Sequence, residues 1–419
     1  MKKIIGLAIA AAFGLSACSN LDHKTAHEIM SISNDRILKE DHSFNITGSS
    51  RVYISPLAEA ILADEKVEEK EKTEDDKAKS EDAMAKAEDA AASMEATQEE
   101  DDPLKQEFSE QEEAEFRNAM LDALPDGNIA QVAVDYLDKY PAISSYMEGV
   151  HLNYEVAVDL STRQFEMIPE LAIDNHNEKL SVKLPMKLDA AKWEVYVDPP
   201  ASVSAIVNAY TDEKIGKRLI KEPLKLSLKE IGDSKGVPFD HIAEAGVRAF
   251  LSANKAMPAN AYVFKEMDAF GKANHARYRV RHVMKPEYDS VVMKAVAKAF
   301  DEELSKLQKT PQSGSTEEDY KNAREFFSMF VSISDNRPLS FQRIFGNNPV
   351  VDYYLDRKGR MLASRMYMQI NGTHKAINII GDSVYSNYGK PVFKLNPQGK
   401  GITWRELKEF FGSDKKQED

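Results

Sequence analysis

From Val150 onward much of the chain alternates apolar and polar side chains. Val150, Leu152, Tyr154, Val156, Val158 and Leu160 fall on one side of an extended segment, and His151, Asn153, Glu155, Ala157 and Asp159 on the other. A period of two is the signature of a strand with one buried face. It resumes over Phe165 to Ile173, over Val182, Leu184, Met186 and Leu188, over Trp193, Val195 and Val197, and over Leu224, Leu226 and Leu228. The period then lengthens. Phe239 to Leu251, behind Pro238 and with Asp240 placed to cap it, predicts a helix. So does Tyr288 to Leu307, with Val292, Val296, Ala299 and Phe300 on one side. Ser315-x-x-Glu318 has the form of a capping box for a third helix, reaching about Val331. Between the first two, Ala276, Tyr278, Val280 and His282 share one strand face. Alternation returns at Val351, Tyr353 and Leu355, turns through Asp356-Arg357-Lys358-Gly359, and continues over Met361 to Ile370, Ala376 to Ile380 and Val392 to Leu395. Thr403-x-x-Glu406 caps a last helix.

The chain is therefore expected to be α+β, with a curved antiparallel sheet or half-barrel built from two strand-rich segments. These are residues 117–214, opened by a short amphipathic helix over Ile129 to Tyr140, and residues 346–413, with a helical middle region at 215–345. Before them, 18–40 reads as a polar tether or short helix and 41–63 as the first strands, including Phe44 to Ile46 and Val52 to Ile54. Residues 414–419 form a charged tail. The two sheet segments share a register: Asp159 precedes Ile173, and Asp356 precedes Ile370, by the same 14 positions. An internal duplication and the ordinary recurrence of turns in meanders both account for it.

Charge changes the picture in one place. The net charge is −14, yet residues 64–116 alone hold 22 acidic and 7 basic residues. This low-complexity insertion has no aromatic residue before Phe108 and too few large apolar ones to build a core. It reads as a solvated spacer, helical or disordered, and an acidic chain of this kind gives no expectation of nucleic acid.

The N-terminus carries the most specific motif. Lys2 and Lys3 precede an uncharged apolar run, Ile4 to Leu15, too short to span a bilayer. Leu15-Ser16-Ala17-Cys18 follows and resembles the lipobox of bacterial lipoproteins. That resemblance implies a signal peptide over 1–17, cleavage before Cys18, and lipid on its sulfur and amino group (the palmitate type of modification). Cys18 is the only cysteine, so the exported body has no disulfide and relies on its core. Ser19 rather than Asp at the next position points, by the same analogy, to the outer membrane, with the body facing the periplasm or the cell surface. The alternating strands, with hairpins such as Tyr354-Leu355-Asp356-Arg357-Lys358-Gly359, make 149–200 and 347–412 similar to the lipoprotein-carrier superfamily of half-open β-barrels. That likeness implies an acyl-chain pocket lidded by helices.

Candidate chemistry is sparse. Ile380-Gly381-Asp382-Ser383 resembles an esterase nucleophile block, but no histidine follows His374 to act as base. Ser234 sits in Gly232-Asp233-Ser234-Lys235-Gly236 without the β-α-β context of a hydrolase elbow. His23 with His27, and His241 with Glu244, lack a further ligand. No catalytic residue, metal or cofactor is assigned, and the chain is not read as an enzyme. His275, Arg277, Arg279 and Arg281 share one strand face and could bind an anion, or pair with acids on neighbouring strands. Met366, Met368 and Ile370 share another face, suited to an apolar ligand or simply to a core. The expected function is a non-enzymatic envelope lipoprotein, held to the membrane through Cys18, that binds a lipid or other apolar ligand or an envelope protein. A structural or scaffolding lipoprotein and a serine hydrolase are the alternatives.

Overall fold

A computed structural model describes residues 21–56, 129–139, 147, 149–175, 178–210, 213–229, 236–283, 285–336, 349–397 and 400–407. The lipobox-like segment with Cys18, the acidic insertion, and Ser234 lie outside the described residues.

The sheet is built from β1 (Ser43–Pro56), β2 (Val150–Asp159), β3 (Gln164–Asn175), β4 (Glu178–Lys183), β5 (Met186–Asp189), β6 (Glu194–Val197), β7 (Leu224–Ser227), β8 (Tyr262–Lys265), β9 (Tyr278–Val283), β10 (Val350–Leu355), β11 (Met361–Asn371), β12 (Lys375–Ser386) and β13 (Ile402–Thr403). The strands hydrogen-bond in the order β13-β7-β6-β5-β3-β2-β1-β12-β11-β10-β9-β8, with β4 on β3. Two meanders are thus joined where β1 pairs antiparallel with β12, from Asn45 opposite Ser386 to Pro56 opposite Lys375. Only β13 runs parallel to its neighbour, and the sheet does not close. The fold class is α+β, as expected, although the middle region also supplies β7, β8 and β9 to the sheet.

The helices are α1 (Ala26–Lys39), α2 (Ile129–Lys139), α3 (Ala201–Tyr210), α4 (Glu213–Leu219), α5 (Phe239–Ala256), α6 (Ala269–Ala273), α7 (Pro286–Leu307) and α8 (Glu317–Asn336). The segment read as a polar tether or short helix contains α1, opened by a capping box in which Thr25 and Glu28 satisfy each other's backbone N–H groups. Ala26, Ile29 and Met30 pack with Tyr262, Val280 and Leu355 of the sheet. The α5–α7–α8 layer has its own core of Ala245, Ala249, Phe300, Leu304 and Tyr320. Two expected caps move. Asp240 lies inside the first turn of α5 rather than at its cap, and Thr316 with Asp319, not Ser315 with Glu318, closes the box before α8. Val392 to Leu395 is not a strand: the backbone N–H groups of Val392, Lys394 and Leu395 bond to the side chains of Asn45 and Glu166 instead of to a ladder.

The curvature follows from one helix. At the start of α5, the Phe239 ring lies 5.0 Å from that of Trp193, just before β6, and Asp240 accepts from Trp193 Nε1 and from Arg163 Nη1. At its end, the Met257 carbonyl bonds His27 Nε2 on α1, which covers β8 and β9. Eighteen helical residues span about 27 Å. Nine strand intervals separate β6 from β8, about 43 Å in a flat sheet. The sheet must therefore bend around α5, with the side that packs on α1 as its inner face.

Candidate functional site

Pairing registers sort the side chains between the two faces. The inner face carries Phe44, Ile46, Val52 and Ile54 of β1, Leu152, Tyr154, Val156 and Val158 of β2, and Phe165, Met167, Leu171 and Ile173 of β3. It continues through Ile377 and Ile379 to Met366, Met368 and Ile370, and then to Val351, Tyr353, Val280 and His282. One end of this face is closed by α1: Ile37, Phe44, Val156, Val158 and Tyr388 form a single cluster there. Among the described residues the other end is open. Leu152, Leu171 and Val182 stand in one cross-strand row, with Ile173 beside Leu180 in another. Leu152 is 44% exposed, Leu171 48%, Leu180 57% and Val182 38%. A contiguous apolar strip on the inside of a curved sheet has high free energy in water unless something covers it. Met366, Met368 and Ile370 are half-buried within this face, with Met366 over Gly381 and Ser50.

The outer face is polar, and its centre is a row of alternating charge. Arg281 of β9, Asp352 of β10, Arg365 of β11 and Asp382 of β12 lie directly opposite one another, and Ser49, Asn153, Glu170 and Lys183 extend the row as far as β4. Asp352 is fully buried. It accepts from Arg279 Nε and Nη2 at 3.0 and 2.6 Å and from Arg281 Nε and Nη2 at 2.7 and 2.9 Å. Arg365 makes a two-point pair with Asp382 at 2.6 and 3.0 Å beneath the ring of Phe270 on α6. That pairing holds its guanidinium well above its usual pKa, although burial opposes the charged form. Tyr354 donates to Asp268 at 2.7 Å, and burial first, then that bond, push its phenol far up. A groove of about 470 Å³ runs along the same row beside Ser49, Asn153 and Glu170.

The row of four cations, read as a possible anion-binding face or as partners of acids on neighbouring strands, is divided by the structure. Arg279 and Arg281 do share a strand face, but it is a buried one, and their guanidiniums are taken by Asp352. Arg277 precedes β9, is exposed, and pairs with Asp22 at 3.6 Å; His275 sits in the preceding turn at φ 59°. Alternation identified the shared face of the two arginines. It could not identify Asp352, some 70 residues away, as their partner. Arg277 and His275 instead meet Arg36, Arg357, Lys358 and Arg360 around an open cleft of about 750 Å³ between α1, the turn before β9 and the β10–β11 turn.

Ser383 lies within β12 on the inner face, its hydroxyl 2.5 Å from that of Tyr154. The Tyr154 ring covers Gly48 so closely that a Cβ there would overlap it. No histidine approaches Ser383 among the described hydrogen bonds. His241 bonds Tyr320, and His27 bonds the Met257 carbonyl. No protein-family model, curated protein or solved structure matches the chain.

Proposed function

We propose that this chain is a lipid-anchored envelope protein of the outer membrane that holds an apolar ligand, of the acyl-chain class, on the inner face of its sheet. The observation that carries the reading is the exposed strip of Leu152, Leu171, Leu180 and Val182 on that face. The chemistry suits a hydrocarbon chain, because the strip offers apolar area in consecutive rows and the charged row of Arg281, Asp352, Arg365 and Asp382 lies on the opposite face. The lipobox at Cys18 supplies the anchor and the envelope location. Binding without catalysis is the function read here, since Ser383 is bonded to a tyrosine rather than to a base.

A chain of residues 19–419 contains every described element and serves for the test. Titrated with a fluorescent fatty acid, it should bind saturably. Leu171→Asn should weaken binding roughly tenfold, as expected for the loss of about 1.5 kcal/mol of apolar contact. Equal binding by the variant, or no binding by either protein, would exclude the strip as the site.

A further inference from the structure

The start of the described chain is seated against the β10–β11 turn. Leu21 is buried, with its Cδ1 3.4 Å from where a Cβ on Gly359 would lie. Gly359 itself has φ +78°, a conformation that favours glycine. Asp22 accepts from Tyr278 Oη at 2.6 Å and pairs with Arg277 at 3.6 Å, on the rim of the 750 Å³ cleft. Leu21 lies three positions after Cys18, at most about 11 Å away in any backbone conformation. A membrane entered by lipid on Cys18 is therefore within reach of this cleft.

The cations of the cleft are of two kinds. Arg36 and Arg360 are both held by Asp41, Arg36 through Nε at 2.9 Å and Nη2 at 2.8 Å, Arg360 through Nε at 3.0 Å and Nη2 at 2.8 Å, and Arg36 Nη1 also pairs at 2.6 Å with Glu40, which lines the cleft together with Asp356. Arg357, Lys358 and His275 are exposed, and their side chains have no partner among the described residues. Asp356 Oδ1 accepts from the backbone N–H groups of Lys358 and Arg360, which fixes the turn and leaves the Arg357 and Lys358 side chains exposed. Two unpaired cations and an exposed arginine, beside a chain terminus that carries a lipid, form a surface complementary to phosphate.

We propose that this cleft docks on anionic phospholipid headgroups of the membrane that holds the anchor, so that acyl chains and a basic surface attach the protein together. The proposal rests on the lipid-anchor reading of Cys18. Its consequence is a fixed orientation, with the β10–β11 turn facing the bilayer. A Lys or Arg close to an anionic surface strengthens partitioning about fivefold, so removing two should cost roughly 25-fold.

The test is sedimentation of residues 19–419, which lack the anchor, with vesicles of phosphatidylcholine alone or mixed with phosphatidylglycerol. The chain should bind only the mixed vesicles and be released by 0.5 M salt, a concentration of roughly the order that screens surface charge. Arg357→Gln/Lys358→Gln should lose roughly 25-fold. Equal partitioning to both vesicles, or an unchanged variant, would overturn the proposal. Release by inorganic phosphate at constant ionic strength would also overturn it, in favour of a soluble anion. The mass of the N-terminal peptide from the native protein is read separately. An unmodified peptide would sink the anchor reading and with it the two-point attachment, whereas the vesicle result bears on the cleft alone.

Discussion

Asp352→Ala should lower the stability of the protein by about 3–5 kcal/mol, the largest effect expected of any single substitution considered. Asp352 is fully buried and accepts four hydrogen bonds from Arg279 and Arg281, themselves almost completely buried. Removing it leaves two desolvated guanidiniums facing each other, with Arg279 retaining Asp268 at 3.4 Å and the Glu266 carbonyl at 3.1 Å. The repulsion and the lost solvation act together. Asp352→Asn keeps the shape and one acceptor but not the charge, and should fall between the two. Urea unfolding followed by circular dichroism measures both. A loss below about 1 kcal/mol for the alanine variant would mean that water reaches the guanidiniums.

The second large effect concerns pH. His282 lies on the inner face, 5% exposed, opposite Val351, with its ring 4.7 Å from that of Tyr262 and no hydrogen-bond partner at Nε2. Burial pushes its pKa down to about 4. In the unfolded chain the imidazole takes a proton near pH 6.5; in the fold it does so only near pH 4. Between these values the unfolded state binds more protons, so the stability is present in full above pH 6.5 and is lost as pH falls toward 4. The expected loss is about 2 kcal/mol between pH 7 and pH 5, where carboxylates contribute little. His282→Phe should flatten that slope in thermal melts taken across the range. An unchanged slope would assign the acid sensitivity to another group.

Legibility in the sequence followed the range of the interactions. The strands of β2, β3, β10 and β11 could be read because alternation is a local consequence of one buried face. The matched hairpin register also has a local cause. Asp159 and Asp356 each accept backbone N–H groups of the residues that follow, which sets a similar turn in both places without requiring duplication. The helix offered as one reading of 18–40 has a local signature that would have decided for it: Thr25-x-x-Glu28 is a capping box, and Ala26, Ile29, Met30, Ser33 and Ile37 keep helical spacing. The β1–β12 pairing was out of reach, because Asn45 and Ser386 are joined by no local pattern. The sites divide in the same way. Met366, Met368 and Ile370 could be placed on one face, but the exposure of Leu171 and Leu180 depends on where α1 and α5 lie. The cleft joins α1 to turns more than 200 residues away, and only the folded chain brings the turn that carries Arg357 and Lys358 beside Leu21.

The central claim is that the inner face of the sheet holds an apolar molecule. The most direct measurement is native mass spectrometry of residues 19–419 purified from cells without added lipid. The account predicts an adduct with the mass of an acyl lipid, present in the wild-type chain and depleted in Leu171→Asn. A spectrum of the bare chain alone, together with no uptake of added fatty acid, would contradict it.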